Sequence, residues 1–257
     1  MTGLLADPWF YAAAIPAVIL VGLSKGGFGG AMGFVGVPLM ALVMSPVQGA
    51  AILLPILVLM DVVSLWTWRG VYDRQTLAVM LPGSVAGISI GWLTAAVVTA
   101  DMVRFIVGTV AILFVARWLY HLVRHGSNHA AEPSRAAGTL WGAVAGFTSF
   151  VAHVGGPPFQ IYALPLKMDP KVFTGTSVIF FAITNAMKLI PYFALGQFDA
   201  TNLTASAVLM PVAPLATLAG AWLVRRMRPE IFYPFTYGTV ALIAAKLIYD
   251  GLSSLSG

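Results

Sequence analysis

Uncharged stretches long enough to cross a bilayer recur along this chain, separated by short clusters of polar, glycine and proline residues. Gly26 to Met60, Gln75 to Ala100 and Ala200 to Val224 carry no charged side chain, and about 17 to 25 apolar residues suffice for a span. Breaking the sequence at its polar, glycine and proline signals predicts ten apolar segments. They are Trp9–Ser24, Ala31–Met44, Gly49–Trp68, Gln75–Val98, Val103–Val123, Ala136–Val151, Pro157–Leu166, Phe173–Phe193, Thr201–Val224 and Ile231–Tyr249. The first, second, sixth and seventh are short. At roughly 10 to 16 residues they reach only about 15 to 24 Å of a hydrocarbon core about 30 Å thick.

The short segments hold matching places, which points to a duplication. Gly108-Thr109-Val110-Ala111 returns as Gly238-Thr239-Val240-Ala241, each followed by a cation (Arg117, Lys246) and a tyrosine (Tyr120, Tyr249). Ser45-Pro46 matches Asp169-Pro170, and Pro82 with Gly91 matches Pro211 with Gly220. The expected organisation is therefore a first transmembrane repeat over residues 1–124, a polar linker over 125–135 and a second repeat over 136–257.

Composition excludes the soluble alternatives. Of 257 residues, 59% are apolar and 9% charged, outside the range of globular, disordered or coiled-coil chains. The net charge of +5 comes from few residues, too sparse for a nucleic-acid surface. With no cysteine and four scattered histidines, neither a thiolate nor a zinc site is expected, and no cofactor or metal is implied. Met1 to Asp7 lacks the positive n-region of a cleavable signal.

Charge placement gives an expected orientation, because Lys and Arg collect in cytoplasmic loops. If the ten segments alternate, one side holds Arg69, Arg74, Arg124, Arg135, Lys167, Lys171, Arg225, Arg226 and Arg228, and the other holds Arg104. Both termini are then extracytoplasmic. Each half makes an odd number of crossings, so the second is inverted relative to the first, as in many secondary transporters. The expected fold is thus an all-α polytopic membrane protein of two inverted helical repeats, each with a Gly-rich broken or re-entrant helix pair.

Candidate chemistry concentrates at the two breaks, Ser24-Lys25-Gly26-Gly27-Phe28-Gly29-Gly30 and His153-Val154-Gly155-Gly156-Pro157-Pro158-Phe159-Gln160. Irregular backbone at membrane depth survives only where protein or a water-filled cavity covers it, so two breaks entering from opposite faces should meet inside. Segments that restart near Ala31 and Pro157 present free N–H groups and positive dipole ends, which attract anions. Gly26, Gly27, Gly29, Gly30, Gly155, Gly156 and Pro157 would form a backbone cradle, with Ser24, Lys25, His153 and Gln160 supplying donors. Glycines inside helices, such as Gly83, Gly87 and Gly91, read as close-packing positions.

Ionisable groups within apolar segments are the second signal. Asp61 and Asn185 hold corresponding places, with Lys188 one turn after Asn185. Asp61 is a candidate proton-coupling residue, or a buried partner for Lys25 or Lys188. Asn185 and Lys188 join the substrate-binding set, although Lys188 is also placed to snorkel, as are Arg117 and Lys246. His121, His125 and His129 read as interface or linker. Hydrolase and phosphate-loop motifs are absent, and Ser24 with His153 is the one conceivable catalytic pair, so no enzyme is expected.

The breaks Gly26-Gly27-Phe28-Gly29-Gly30 with Gly36-Val37-Pro38 and Gly155-Gly156-Pro157-Pro158, in a duplicated chain of this length, resemble the TauE/SafE family of membrane transporters. The resemblance implies transport of small sulfur-containing anions such as sulfite, organosulfonates or thiosulfate. His153 and Pro157-Pro158 depart from the plainer glycine pattern. The expected molecule is an inner-membrane, multi-pass secondary carrier working by alternating access. Its partners are a small anion and membrane lipid, with no nucleic acid and a homo-oligomer left open. An anion channel of the same fold and an intramembrane enzyme are the rival readings.

Overall fold

The computed structural model describes residues 3–28, 30, 33–97, 109, 116, 120, 132–236 and 238. Within these residues the regular structure is entirely helical. A one-turn α1 (Gly3–Ala6) leads into α2 (Pro8–Gly27), then a 3-10 turn (Gly33–Val35), α3 (Gly36–Met40), α4 (Pro46–Thr67) and α5 (Arg74–Leu93). After the linker come α6 (Arg135–Ala152), α7 (Gly156–Ala163) with a 3-10 extension (Leu164–Leu166), α8 (Pro170–Ala194), α9 (Ala200–Leu209) and α10 (Val212–Arg226).

The starts of these helices are written locally. Asp7, Ser45, Asp73, Ser134, Asp169 and Asp199 each accept a hydrogen bond from a backbone N–H of the first turn, and Pro8, Pro46 and Pro170 stand where no donor is needed. Each such cap is worth about 1 kcal/mol. Among the described residues four helices, α2, α4, α5 and α8, are long and apolar enough to cross a membrane, and α9 with α10 makes a fifth if the bent pair is one span.

Two segments differ from the sequence expectation. The first is not short: α2 runs for 20 residues, about 30 Å at the usual rise, because Lys25-Gly26-Gly27 continue the helix instead of ending it. The ninth is not continuous, since α9 and α10 meet at 48° across Met210 and Pro211. Its matched proline, Pro82, lies inside an unbroken α5, which is gripped along its length by α6. Most of the fifth and tenth segments, the duplicated Gly108 and Gly238 signatures apart from Thr109 and Gly238, and the linker through residue 131 lie outside the described residues.

Glycines set the helix packing. On the α5–α6 contact, a Cβ on Gly83 would strike the Thr139 carbonyl, one on Gly87 the Ala143 carbonyl and one on Gly146 the Ser84 carbonyl. On the α2–α10 contact, a Cβ on Gly26 would strike the Thr217 carbonyl and one on Gly220 the Leu23 carbonyl. These are the close backbone approaches that small residues permit in membranes. If α2 corresponds to α6 and α5 to α10, the two pairings are one contact made twice between opposite halves.

The outer surface is apolar and the interior partly polar, the reverse of a soluble fold. Trp66, Leu93, Phe193 and Leu215 face outward, while Ser84, Thr174, Thr184, Ser206 and Lys188 are buried. Buried hydroxyls are used between elements: Ser84 Oγ meets Thr184 Oγ1 at 3.0 Å, Ser206 Oγ donates to the Ile52 carbonyl at 2.8 Å, and Thr174 Oγ1 donates to the Gly27 carbonyl at 2.7 Å. Such pairing is what burial in a medium without water requires.

Candidate functional site

α2 ends in a turn through Phe28, and Gly30 adopts φ +79°, a left-handed conformation that glycine takes without strain. α6 ends differently: His153 itself holds the left-handed cap position at φ 56°, uncommon for a residue with a side chain. That turn swings the imidazole inward. α7 then restarts at Gly156, with proline in its first turn.

The two breaks touch. A Cβ on Gly156 would overlap the Gly30 carbonyl, and one on Gly30 would lie 3.5 Å from the Gly156 Cα and 3.1 Å from the Phe181 ring. Beside this contact is a small, partly open cavity with Lys25, Gly30, Ser149, His153, Gly156 and Asn185 among its walls. Val21, Leu53, Leu57 and Phe181 supply the apolar lining.

Two charged clusters sit on this cavity. In the first, the Lys25 ammonium pairs with Asp61, whose other carboxylate oxygen accepts from Asn185 Nδ2 at 2.7 Å. The pair is buried, the side chains being 9% and 6% exposed. In the second, Lys188 Nζ donates to the Ser149 carbonyl (3.0 Å), to Ser149 Oγ (3.0 Å) and to His153 Nδ1 (2.8 Å). His153 Nε2 lies 2.9 Å from the Ala50 carbonyl. A carbonyl only accepts, so Nε2 carries the proton, and Nδ1, facing an ammonium, is the acceptor. The ring is therefore the neutral Nε2–H tautomer, stacked at 6.0 Å on Tyr192.

The remaining expected residues fall around this centre. Gly26 and Gly27 turn away from the cavity towards α10, and their carbonyls accept from Trp68 Nε1 and Thr174 Oγ1, both at 2.7 Å. Ser24 is buried in α2, its carbonyl accepting from the N–H groups of Phe28 and Gly30. Gly155 packs against Ala145, Ser149 and Phe181, and Pro157 is buried at the start of α7. Gln160 reaches back from α7, donating Nε2 to the Phe28 carbonyl at 3.4 Å and tying one break to the other. Gly29 lies outside the described residues. Lys188 does not snorkel, for it has no exposed surface.

Ser149 was absent from the residues the sequence singled out. The signal was available: the spacing of 124 that relates Asp61 to Asn185 carries Lys25 onto Ser149. Under that spacing a lysine corresponds to the serine that receives Lys188. Phe181, wedged against both breaks, had no such marker among the many phenylalanines.

In comparison with known proteins, a family model described as "Sulfite exporter TauE/SafE" matches residues 14–247. The probable sulfite/organosulfonate exporter TauE of Cupriavidus necator is 28% identical over 185 residues, covering 66% of this chain and 70% of that protein. No solved structure matches.

Proposed function

Since the chain belongs to the TauE/SafE sulfite exporter family, we propose that it is a secondary carrier that moves a small sulfur-containing anion by alternating access. The observation carrying this reading is the cavity where the two glycine breaks touch, flanked by two lysine ammoniums against one carboxylate. An oxyanion there would meet Lys25, Asn185, Ser149 and His153, together with the N-terminus of α7, whose free N–H groups favour negative charge. Sulfite, an organosulfonate and thiosulfate all fit that chemistry, and the exporter named in Cupriavidus necator makes outward movement the favoured direction.

The mechanism needs two interchangeable halves, and the packing supports such a pair. The α2–α10 and α5–α6 contacts exchange places under the repeat, so rocking one pair against the other would open the central cavity to each side in turn. The halves would be inverted in the inner membrane, with both termini extracytoplasmic. Asp61, held by Lys25 and Asn185, would carry a coupling proton in a step of the cycle other than anion binding.

Binding tests the reading before transport is attempted. Purified protein should be thermally stabilised by sulfite, thiosulfate or a short organosulfonate in a saturable way, because a ligand of the folded state raises stability by mass action. Stabilisation by carboxylates and sulfur anions alike would remove the sulfur assignment. No stabilisation by any of them would remove the binding site.

A further inference from the structure

We infer that the cavity, in the arrangement of this structure, selects a singly charged anion, and that Asp61 is the residue setting this charge class. The inference rests on the anion-carrier reading above and goes further, since that reading leaves monoanions and dianions equal.

The argument is a charge count with Lys188 taken in its ordinary protonated form. Its three partners, Ser149 O, Ser149 Oγ and His153 Nδ1, are as many as an ammonium has hydrogens. Lys25 is protonated because it pairs with a carboxylate, and Asp61 is ionised because it accepts from both Lys25 and Asn185. His153 is neutral, since its Nδ1 must accept from an ammonium. Among the described residues, two ammoniums against one carboxylate leave the cluster with one net positive charge.

In a low-dielectric interior, unbalanced charge is costly, so a ligand that closes the count to zero is favoured over one that leaves a residual charge. One anionic charge does so. A dianion would leave the site net negative unless Asp61 lost its charge. Asp61 does not line the cavity. It stands behind Lys25 and Asn185, which do, so it sets the charge of the site without competing for the space of the ligand. It is a positioning and charge-setting residue.

Methanesulfonate and sulfate test this directly. They are nearly the same size and shape and differ by one charge. Affinities are measured by titration calorimetry of the full chain in detergent, at constant ionic strength held by gluconate, with thermal melting to verify folding. The wild type should bind methanesulfonate more tightly than sulfate, by about tenfold or more. Asp61→Asn, which keeps an acceptor for Asn185 and raises the net charge to two, should reverse the order. Lys25→Gln combined with Asp61→Asn restores one net charge on a different set of residues, and should return the preference to methanesulfonate.

A wild-type preference for sulfate, or an order that Asp61→Asn leaves in place, overturns the inference while leaving an anion carrier standing. If Asp61→Asn does not fold, the wild-type ratio and the double variant decide, and a double variant that prefers sulfate overturns it. Binding of neither anion, nor of sulfite, by folded wild type removes the carrier reading and this inference with it.

Discussion

Lys188 lies wholly inside the protein with no carboxylate bonded to it among the described residues, whereas Lys25 is neutralised by Asp61. Sequence alone favoured neither, because whether a lysine in an apolar segment snorkels or turns inward depends on what the opposite helix offers. α6 offers Ser149 and His153, and that decides it. Removing one member of a buried ion pair strands the other, at a cost of about 3 to 5 kcal/mol. Lys25→Gln should therefore lower stability by about that amount, while Lys25→Gln with Asp61→Asn should recover most of the loss, as read by unfolding in detergent. Equal losses in the single and double variants would mean that the pair is not coupled. Asp61 was legible as a functional candidate from its charge in an apolar run, with Lys25 and Lys188 as its two candidate partners; the choice of Lys25, 36 residues away in sequence, was not.

At the scale of elements, the two glycine breaks were readable because they are local: glycine-rich runs announce the interruptions before α3 and α7. The expected starts of α4 and α8, Gly49 and Phe173, fall three residues after Pro46 and Pro170, because Ser45 and Asp169 were not read as caps. The division of labour among the glycines was not readable, since it depends on which backbone arrives from elsewhere. Gly26 and Gly27 look like part of the first break, but α10 approaches them and they act as packing residues. The bend at Met210 and Pro211 was missed for a related reason: Pro82 sits in a matching place within a straight helix. Two alanine substitutions separate the roles. Gly87→Ala, set against the Ala143 carbonyl, should destabilise by about 1 to 3 kcal/mol and leave anion affinity of the folded fraction unchanged. Gly156→Ala, pressing on the Gly30 carbonyl at the cavity, should lower that affinity as well. Equal affinity in folded Gly156→Ala and wild type would reduce the contact between the breaks to packing.

For the whole molecule, the proposed inverted arrangement would tie the fold to transport. Arg225 of α10 donates to the Thr67 carbonyl at the end of α4 at 2.5 Å, and Tyr233 reaches the Met168 carbonyl. The first contact joins chain segments on either side of the linker, beside Arg69 and Arg225, and the second lies after the linker, beside Lys167. Gln48 and Asn202 meet at 3.3 Å where α4 and α9 begin. If the cationic ends face the cytoplasm, as the charge bias leads one to expect, the two sides are accessible to test. A cysteine at exposed Ala200 should then react with an impermeant reagent applied outside, and one at exposed Glu132 only after the membrane is opened. The opposite pattern would invert the assignment, and reaction of both from one side would contradict the odd number of crossings between them.

The central claim is that an anion is carried through the cavity between the breaks, drawn by the buried charge of Lys188. Counterflow of radiolabelled sulfite into proteoliposomes tests it most directly, comparing wild type with Lys188→Gln at equal insertion. The account predicts saturable uptake that unlabelled sulfite inside the vesicle accelerates, with apparent affinity lowered about thirtyfold or more in the variant. Flux that neither saturates nor responds to sulfite inside would mark a channel, and uptake unchanged in Lys188→Gln would contradict the electrostatic basis of the site.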